Sequence, residues 1–168
     1  MDVTKIESQS LNLKKEDFNL NDVILNAIDD IMTNKESIKI KKNLIKLQYH
    51  HPQQDIFVQV DKGRISQVIH NLLDNALKFT EAGNITISTH LKKEEEVIVS
   101  VKDTGRGLDP GILPRLFSKF TTKSDTGTGL GLFISKSIIE AHGGIIWAEN
   151  SKDGEKGATF YFSLALNR

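Results

Sequence analysis

From Ile65 to Leu77 the apolar residues Ile65, Val68, Ile69, Leu72, Leu73, Ala76 and Leu77 recur at the spacing of one helix face. A stripe that wide must be buried against another layer, and the next segments say which layer. Ile85 and Ile87 alternate with polar residues, and so do Val97, Val99 and Val101, which is the pattern of strands with one covered face. The charged run from Lys92 to Glu96 between them reads as a solvated hairpin loop. A second amphipathic helix opens near Asn21 with Val23, Ile24, Ala27, Ile28 and Ile31. A third runs from Leu132 to about His142 and stops at Gly143-Gly144. Short strands are expected at Asn43–Tyr49 and Ile56–Val60 around the turn-like His50-His51-Pro52, and further strands at Ile145–Glu149 and Ala158–Leu166. The fold class is therefore α+β: a two-layer sandwich whose mixed, largely antiparallel sheet carries about three helices on one face.

With 168 residues the chain is sized for one domain. Lys plus Arg and Asp plus Glu both number 22, so the net charge is zero, which argues against a general grip on nucleic acid or an anionic membrane. The absence of cysteine excludes disulfides, thiolate metal sites and a cysteine nucleophile. No apolar run approaches the ~20 residues that span a bilayer. Residues 1–20 are polar and read as the end of an earlier element with a connector, leaving 21–168 as the folded unit.

Three places carry chemistry. On the polar side of the strongest helix, Asn71, Asn75 and Lys78 stand at i, i+4 and i+7, with Asp74 beside them. Two carboxamides and an ammonium suit a hard cation and phosphate oxygens, although a solvated helix face shows the same spacing. Asp103 shares strand parity with Val97, Val99 and Val101, so its carboxylate points to the covered side and needs a donor there; a turn-forming Asp-Thr-Gly is the plainer alternative. Gly127, Gly129 and Gly131 run directly into a helix, which brings backbone N–H groups and a helix dipole toward an anion. The spacing is not the dinucleotide fingerprint, because residue 132 is Leu, and there is no P-loop and no His-Arg-Asp or Asp-Phe-Gly element.

In order, these pieces resemble the Bergerat-type ATP site, and more narrowly the catalytic ATP-binding domain of sensor histidine kinases. NLLDNALKFT is similar to that family's N box, VKDTGRGLDP to its first glycine box and LFSKF to its F box. GTGLGLFISKSIIEAHGG is similar to the second glycine box with its helix, and GATFYFSL to the closing strand. The resemblance covers about Asn21 to Leu166.

It implies ATP and Mg2+ as cofactors. By the resemblance, Asn75 gives its amide oxygen to Mg2+ with Asn71 assisting, Lys78 reaches a phosphate, and Phe79 packs near the adenine. Asp103 accepts from the adenine amine, Gly105, Gly107 and Leu108 pass close to the base, and Thr159 meets the base side through water. Thr128, Gly129, Leu130 and Gly131 offer backbone donors to the phosphates, Lys123 stabilises the transferring phosphoryl, and Phe117 and Phe120 anchor a short lid from Thr121 to Thr126, Phe120 also being placed to touch nucleotide.

Gyrase-like and chaperone members of the superfamily carry a Glu base where this chain has Asn71. An amide takes no proton at neutral pH, so transfer to an acceptor is favoured over hydrolysis. None of His50, His51, His70, His90 and His142 is followed by Glu or Asp, so the acceptor histidine is expected outside this chain. MDVTKIES resembles the tail of a dimerisation helix. The expected partners are a histidine-containing dimerisation domain and a response regulator. The fragment is expected to be monomeric and cytoplasmic, its parent a homodimer with or without a membrane anchor. An anti-sigma-factor-like serine kinase and a nucleotide-binding interaction module are the alternatives.

Overall fold

The computed structural model describes residues 11–34, 40, 42–121 and 129–167. In chain order the elements are β1 (Glu16–Asn19), α1 (Leu20–Thr33), β2 (Ile45–His50), β3 (Phe57–Val60), α2 (Lys62–Phe79), β4 (Gly83–Lys92), β5 (Glu96–Asp103), a 3-10 turn (Leu113–Arg115), α3 (Gly131–Ala141), β6 (Ile146–Asn150) and β7 (Ala158–Ala165). Five strands form one sheet in the order β2-β4-β5-β7-β6, and β1 and β3 form a separate antiparallel pair. Only the β2–β4 neighbours in the large sheet are parallel.

Register shows which face is covered. Ile87, Val101 and Phe160 lie side by side across three strands, and Thr89, Val99 and Phe162 form the next row. These residues are buried, and α2 turns Ile65, Val68, Ile69, Leu72 and Leu73 into the same core. Full burial of one such aliphatic side chain stabilises by about 1.5–3 kcal/mol, so this contact fixes α2 firmly against the sheet. α2 is the central helix, packed on α1 at one side and α3 at the other. Its start is set by Asp61, whose carboxylate accepts from the Arg64 N–H at 3.2 Å and the Lys14 N–H at 3.1 Å. At its other flank His142 closes α3: Nε2 accepts from the Asp61 N–H at 3.0 Å and Nδ1 meets the Ile138 carbonyl at 2.7 Å.

Among the described residues, the expected α+β sandwich with about three helices is the fold found. Two details differ from the sequence expectation. The connector assigned to the first twenty residues contains β1, which pairs Phe18 with Val58, so the folded unit begins before Asn21. β2 and β3 do not pair across His50-His51-Pro52; β2 runs parallel to β4, with Leu47 beside Ile85 and Tyr49 beside Ile87, while β3 joins β1. The MDVTKIES segment lies outside the described residues. Residues 104–157 form a single excursion that leaves the sheet at β5 and re-enters it at the adjacent strand β7, having laid β6 along the far side.

Candidate functional site

The apolar stripe of α2 dictates that its opposite side carries Asn71 and Asn75, both half-buried, with Asp74 and Lys78 exposed. Asn71 faces α3. Its Nδ2 donates to the Gly131 carbonyl and, at 2.9 Å, to Ser135 Oγ, so this amide holds the start of α3 against α2. A Cβ on Gly131 would lie 2.6 Å from Asn71 Oδ1, which is why glycine opens this helix. No side chain caps α3 at Leu130. The Asn75 side chain makes no hydrogen bond among the described residues.

Asp103 ends β5 on the covered face and is 4% exposed. Its Oδ1 accepts from the Gly105 N–H at 2.9 Å and the Ala158 N–H at 3.3 Å. Burial pushes the carboxyl above its ordinary range, and those two N–H groups pull it partly back. Gly157, at φ +111, passes so close that an added Cβ would lie 2.0 Å from the Asp103 carbonyl oxygen.

Beyond Asp103 the chain turns back over the end of α2. Gly105 sits against the Phe79 carbonyl, 2.3 Å from where a Cβ would be, and the Arg106 N–H donates to that carbonyl at 3.4 Å. The Phe79 ring lies between two cations, with the Arg106 guanidinium 4.7 Å and Lys78 Nζ 5.6 Å from its centroid. At Leu108 both backbone polar groups are taken by one side chain: the N–H donates to Asn150 Oδ1 at 2.7 Å, and Asn150 Nδ2 donates to the carbonyl at 2.8 Å.

Phe117 packs edge-on against Phe160 at 6.4 Å between centroids, beside the buried Leu116. Phe120 is 70% exposed and has φ 57. Gly129, at φ +69, lies over its backbone, 2.6 Å from an added Cβ to the Phe120 Cα, so no larger residue fits there.

The fold thus gathers Asn71, Gly131 and Leu130 at one junction, and Asp103, Gly105, Gly107, Leu108 and Phe79 at another, with Asn75 and Lys78 on the helix that serves both. Lys123 and Thr128 fall outside the described residues. Thr159 pairs with Lys102 and Glu149, on the parity opposite to Asp103, and the group that reaches the carboxylate from this strand is the Ala158 N–H. Asn150 and Ser135 carry no signal in the sequence, because each acts through a contact tens of residues away. Among the described residues there is no cluster of three His, Cys, Asp or Glu side chains suited to a metal, and no helix is long and apolar enough to cross a membrane.

Residues 60–168 match the family described as histidine kinase-, DNA gyrase B-, and HSP90-like ATPase. The sensor histidine kinase WalK of Bacillus subtilis (strain 168) is 37% identical over 141 residues, covering 79% of this chain and 22% of that protein. The solved catalytic domain of the histidine kinase ThkA superposes with a TM-score of 0.78 at 34% identity, covering 90% of this chain and 95% of that one. ThkA in complex with the response regulator protein TrrA gives the same TM-score, 0.78, at 31% identity, covering 98% of this chain and 46% of that one. The chain spans about a fifth of the length of the curated relatives it matches.

Proposed function

The chain belongs to the histidine kinase-, DNA gyrase B- and HSP90-like ATPase family, as the ATPase domain of a two-component sensor histidine kinase, and from that premise we propose that it binds ATP with Mg2+ and transfers the γ-phosphoryl group to a histidine on a separate dimerisation domain. The observation that carries the reading is Asp103. It is a buried carboxylate with one oxygen saturated by two backbone N–H groups, so the other is the acceptor left for an amine donor on a base. Gly105 and Gly157 let the backbone beside it pass against the Phe79 and Asp103 carbonyls, where any side chain would collide.

Around that anchor the remaining groups have distinct tasks. Asn75 is half-buried on the polar side of α2 and is assigned to the metal, because amide oxygen is a hard donor of the kind Mg2+ accepts. Without a carboxylate cage among the described residues, the ion fits as one that arrives on the phosphates and takes one or two protein ligands. Bound there, Mg2+ supplies charge neutralisation on the phosphate oxygens. Asn71 fixes the α3 N-terminus, whose backbone donors are assigned, with Lys78, to the phosphates. Lys123 is assigned the stabilisation of charge on the transferring group. In the transfer, the bond from the γ-phosphorus to the β–γ bridging oxygen breaks, a bond to the acceptor imidazole nitrogen forms, and ADP leaves.

Transfer is preferred to hydrolysis because Asn71 cannot serve as a base for water and its nitrogen is committed to α3. The relatives named sensor kinases, and the ThkA–TrrA complex, support a response regulator as the downstream partner. The domain alone is assigned as a cytoplasmic monomer, the parent as a dimer. Incubation with labelled ATP, Mg2+ and a supplied acceptor helix tests the assignment. Labelled histidine with little free phosphate is expected; rapid phosphate release without labelling would overturn it in favour of an ATPase.

A further inference from the structure

The segment from Thr104 to Leu108 forms one wall beside Asp103. Its near end is held by backbone: the Thr104 N–H donates to the Asn84 carbonyl at 3.1 Å and the Arg106 N–H to the Phe79 carbonyl at 3.4 Å. Its far end is held differently. Asn150 presents Oδ1 to the Leu108 N–H at 2.7 Å and Nδ2 to the Leu108 carbonyl at 2.8 Å, which reproduces the two-bond exchange of an antiparallel residue pair with a side chain in place of a strand. The backbone partners fix which end of the amide is oxygen, so the orientation is unambiguous.

Asn150 is also the last residue of β6, paired with Ala158, whose N–H binds Asp103 Oδ1. The same residue therefore refers the loop and the carboxylate to one frame. Gly107 leaves room for this approach: at φ +78, its added Cβ would lie 3.1 Å from Asn150 Oδ1 and 3.3 Å from the Gly157 carbonyl oxygen.

We propose that Asn150 is a positioning residue for nucleotide binding: its two-point clamp on Leu108 pre-orders the 104–108 loop in its base-receiving form before ATP arrives. This rests on the reading of the site given above. An unclamped loop would be ordered at the expense of binding, and apparent affinity falls by the fraction of molecules already in the competent form. Each neutral hydrogen bond is worth roughly a factor of five in an equilibrium, so loss of both weakens ATP binding by about tenfold to thirtyfold.

Three measurements on the whole chain test this: ATP–Mg2+ titration, labelling of the acceptor helix at saturating ATP, and amide exchange without nucleotide. Asn150→Ala is expected to bind ATP about tenfold to thirtyfold more weakly, to label the helix at the wild-type rate when saturated, and to exchange Leu108 faster while Val99 and Val101 keep their wild-type protection. Asn150→Ser, which can restore one of the two bonds, should fall between them and serves if the alanine variant does not fold. Wild-type affinity in a folded Asn150→Ala chain, or faster exchange at Val99 and Val101 together with Leu108, would overturn the proposal. If Asp103→Asn weakens binding while a folded Asn150→Ala chain binds ATP as the wild type does, the positioning role alone fails; if the wild type binds no ATP, the site reading fails and takes this role with it.

Discussion

Replacing Asp103 by Asn should move stability and ligand affinity in opposite directions. Oδ1 accepts two backbone N–H groups, at 2.9 and 3.3 Å, and an asparagine Oδ1 can keep both. What changes is the second oxygen, which becomes an NH2. In the folded chain burial already raises the Asp103 carboxyl above its ordinary range, so its surroundings disfavour the charge despite the two N–H donors. A neutral isostere therefore folds at least as well at neutral pH. Because the folded value is raised, the wild-type group contributes most below the ordinary carboxylate range, and that contribution is lost as pH rises through the folded value. The advantage of Asp103→Asn should accordingly grow from acid to neutral pH. Nucleotide binding goes the other way. A charge-assisted bond to the base amine is lost and two donors are left facing each other, which costs about 2–4 kcal/mol, or roughly 30- to 1,000-fold in Kd. Calorimetric titration with ATP and Mg2+, beside thermal unfolding at several pH values, reads both quantities. A folded variant that binds ATP within about threefold of wild type would remove Asp103 from base recognition.

Asn75→Ala should abolish productive Mg2+–ATP binding yet shift Tm by no more than ~2 °C, because Asn75 lies off the Leu72, Leu73 and Ala76 stripe; calorimetry and thermal unfolding together check it. Asn71→Asp should destabilise by ~1–3 kcal/mol in denaturant titration, since a carboxylate oxygen would face the Gly131 carbonyl where an N–H now donates; unchanged stability would show that the α2–α3 latch carries no weight. His142 is held neutral, its pKa lowered chiefly by burial and further by Lys15, against the Ile138 carbonyl and Asp61, which raise it. Its contribution should be intact above pH ~6.5 and lost as pH falls through the lowered folded value, so the wild-type minus His142→Gln stability difference should shrink on acidification; a difference independent of pH would refute this.

The helices and the covered sheet face could be read directly because each is a local periodicity. Seven apolar positions specify α2, and alternation through Val97, Val99 and Val101 places Asp103 on the covered side, where it is found. Partnership between strands is not local and leaves no such periodic signal. Nothing in Glu16–Asn19 announces a strand, because it is four residues long and its partner β3 lies some forty positions on. Periodicity finds β2 but not its neighbour; a parallel pair needs a crossover, and the β3–α2 stretch supplies it. In the site, the glycines marked where backbone must pass close to something, as Gly105 against Phe79 and Gly131 against Asn71 show. The residues that tie those passages down, Asn150 and Ser135, are ordinary polar side chains in sequence. Only the fold brings Asn150 to Leu108 and Ser135 to Asn71.

The excursion from β5 to β7 has a consequence for how such a domain can vary. At its neck Lys102 pairs with Thr159 and the Ala158 N–H binds the Asp103 carboxylate, so the β5–β7 pairing does not depend on the length of what hangs between them. Closing a loop costs free energy only as the logarithm of its length, about 0.6 kcal/mol for each doubling. Residues added between Phe120 and Gly129 would therefore burden the frame very little, provided Gly129 can still rest on the Phe120 backbone. Selection can lengthen, shorten or rewrite that stretch almost independently of the sheet, so insertions in this stretch should be far better tolerated than a single alanine at Gly157, at the neck.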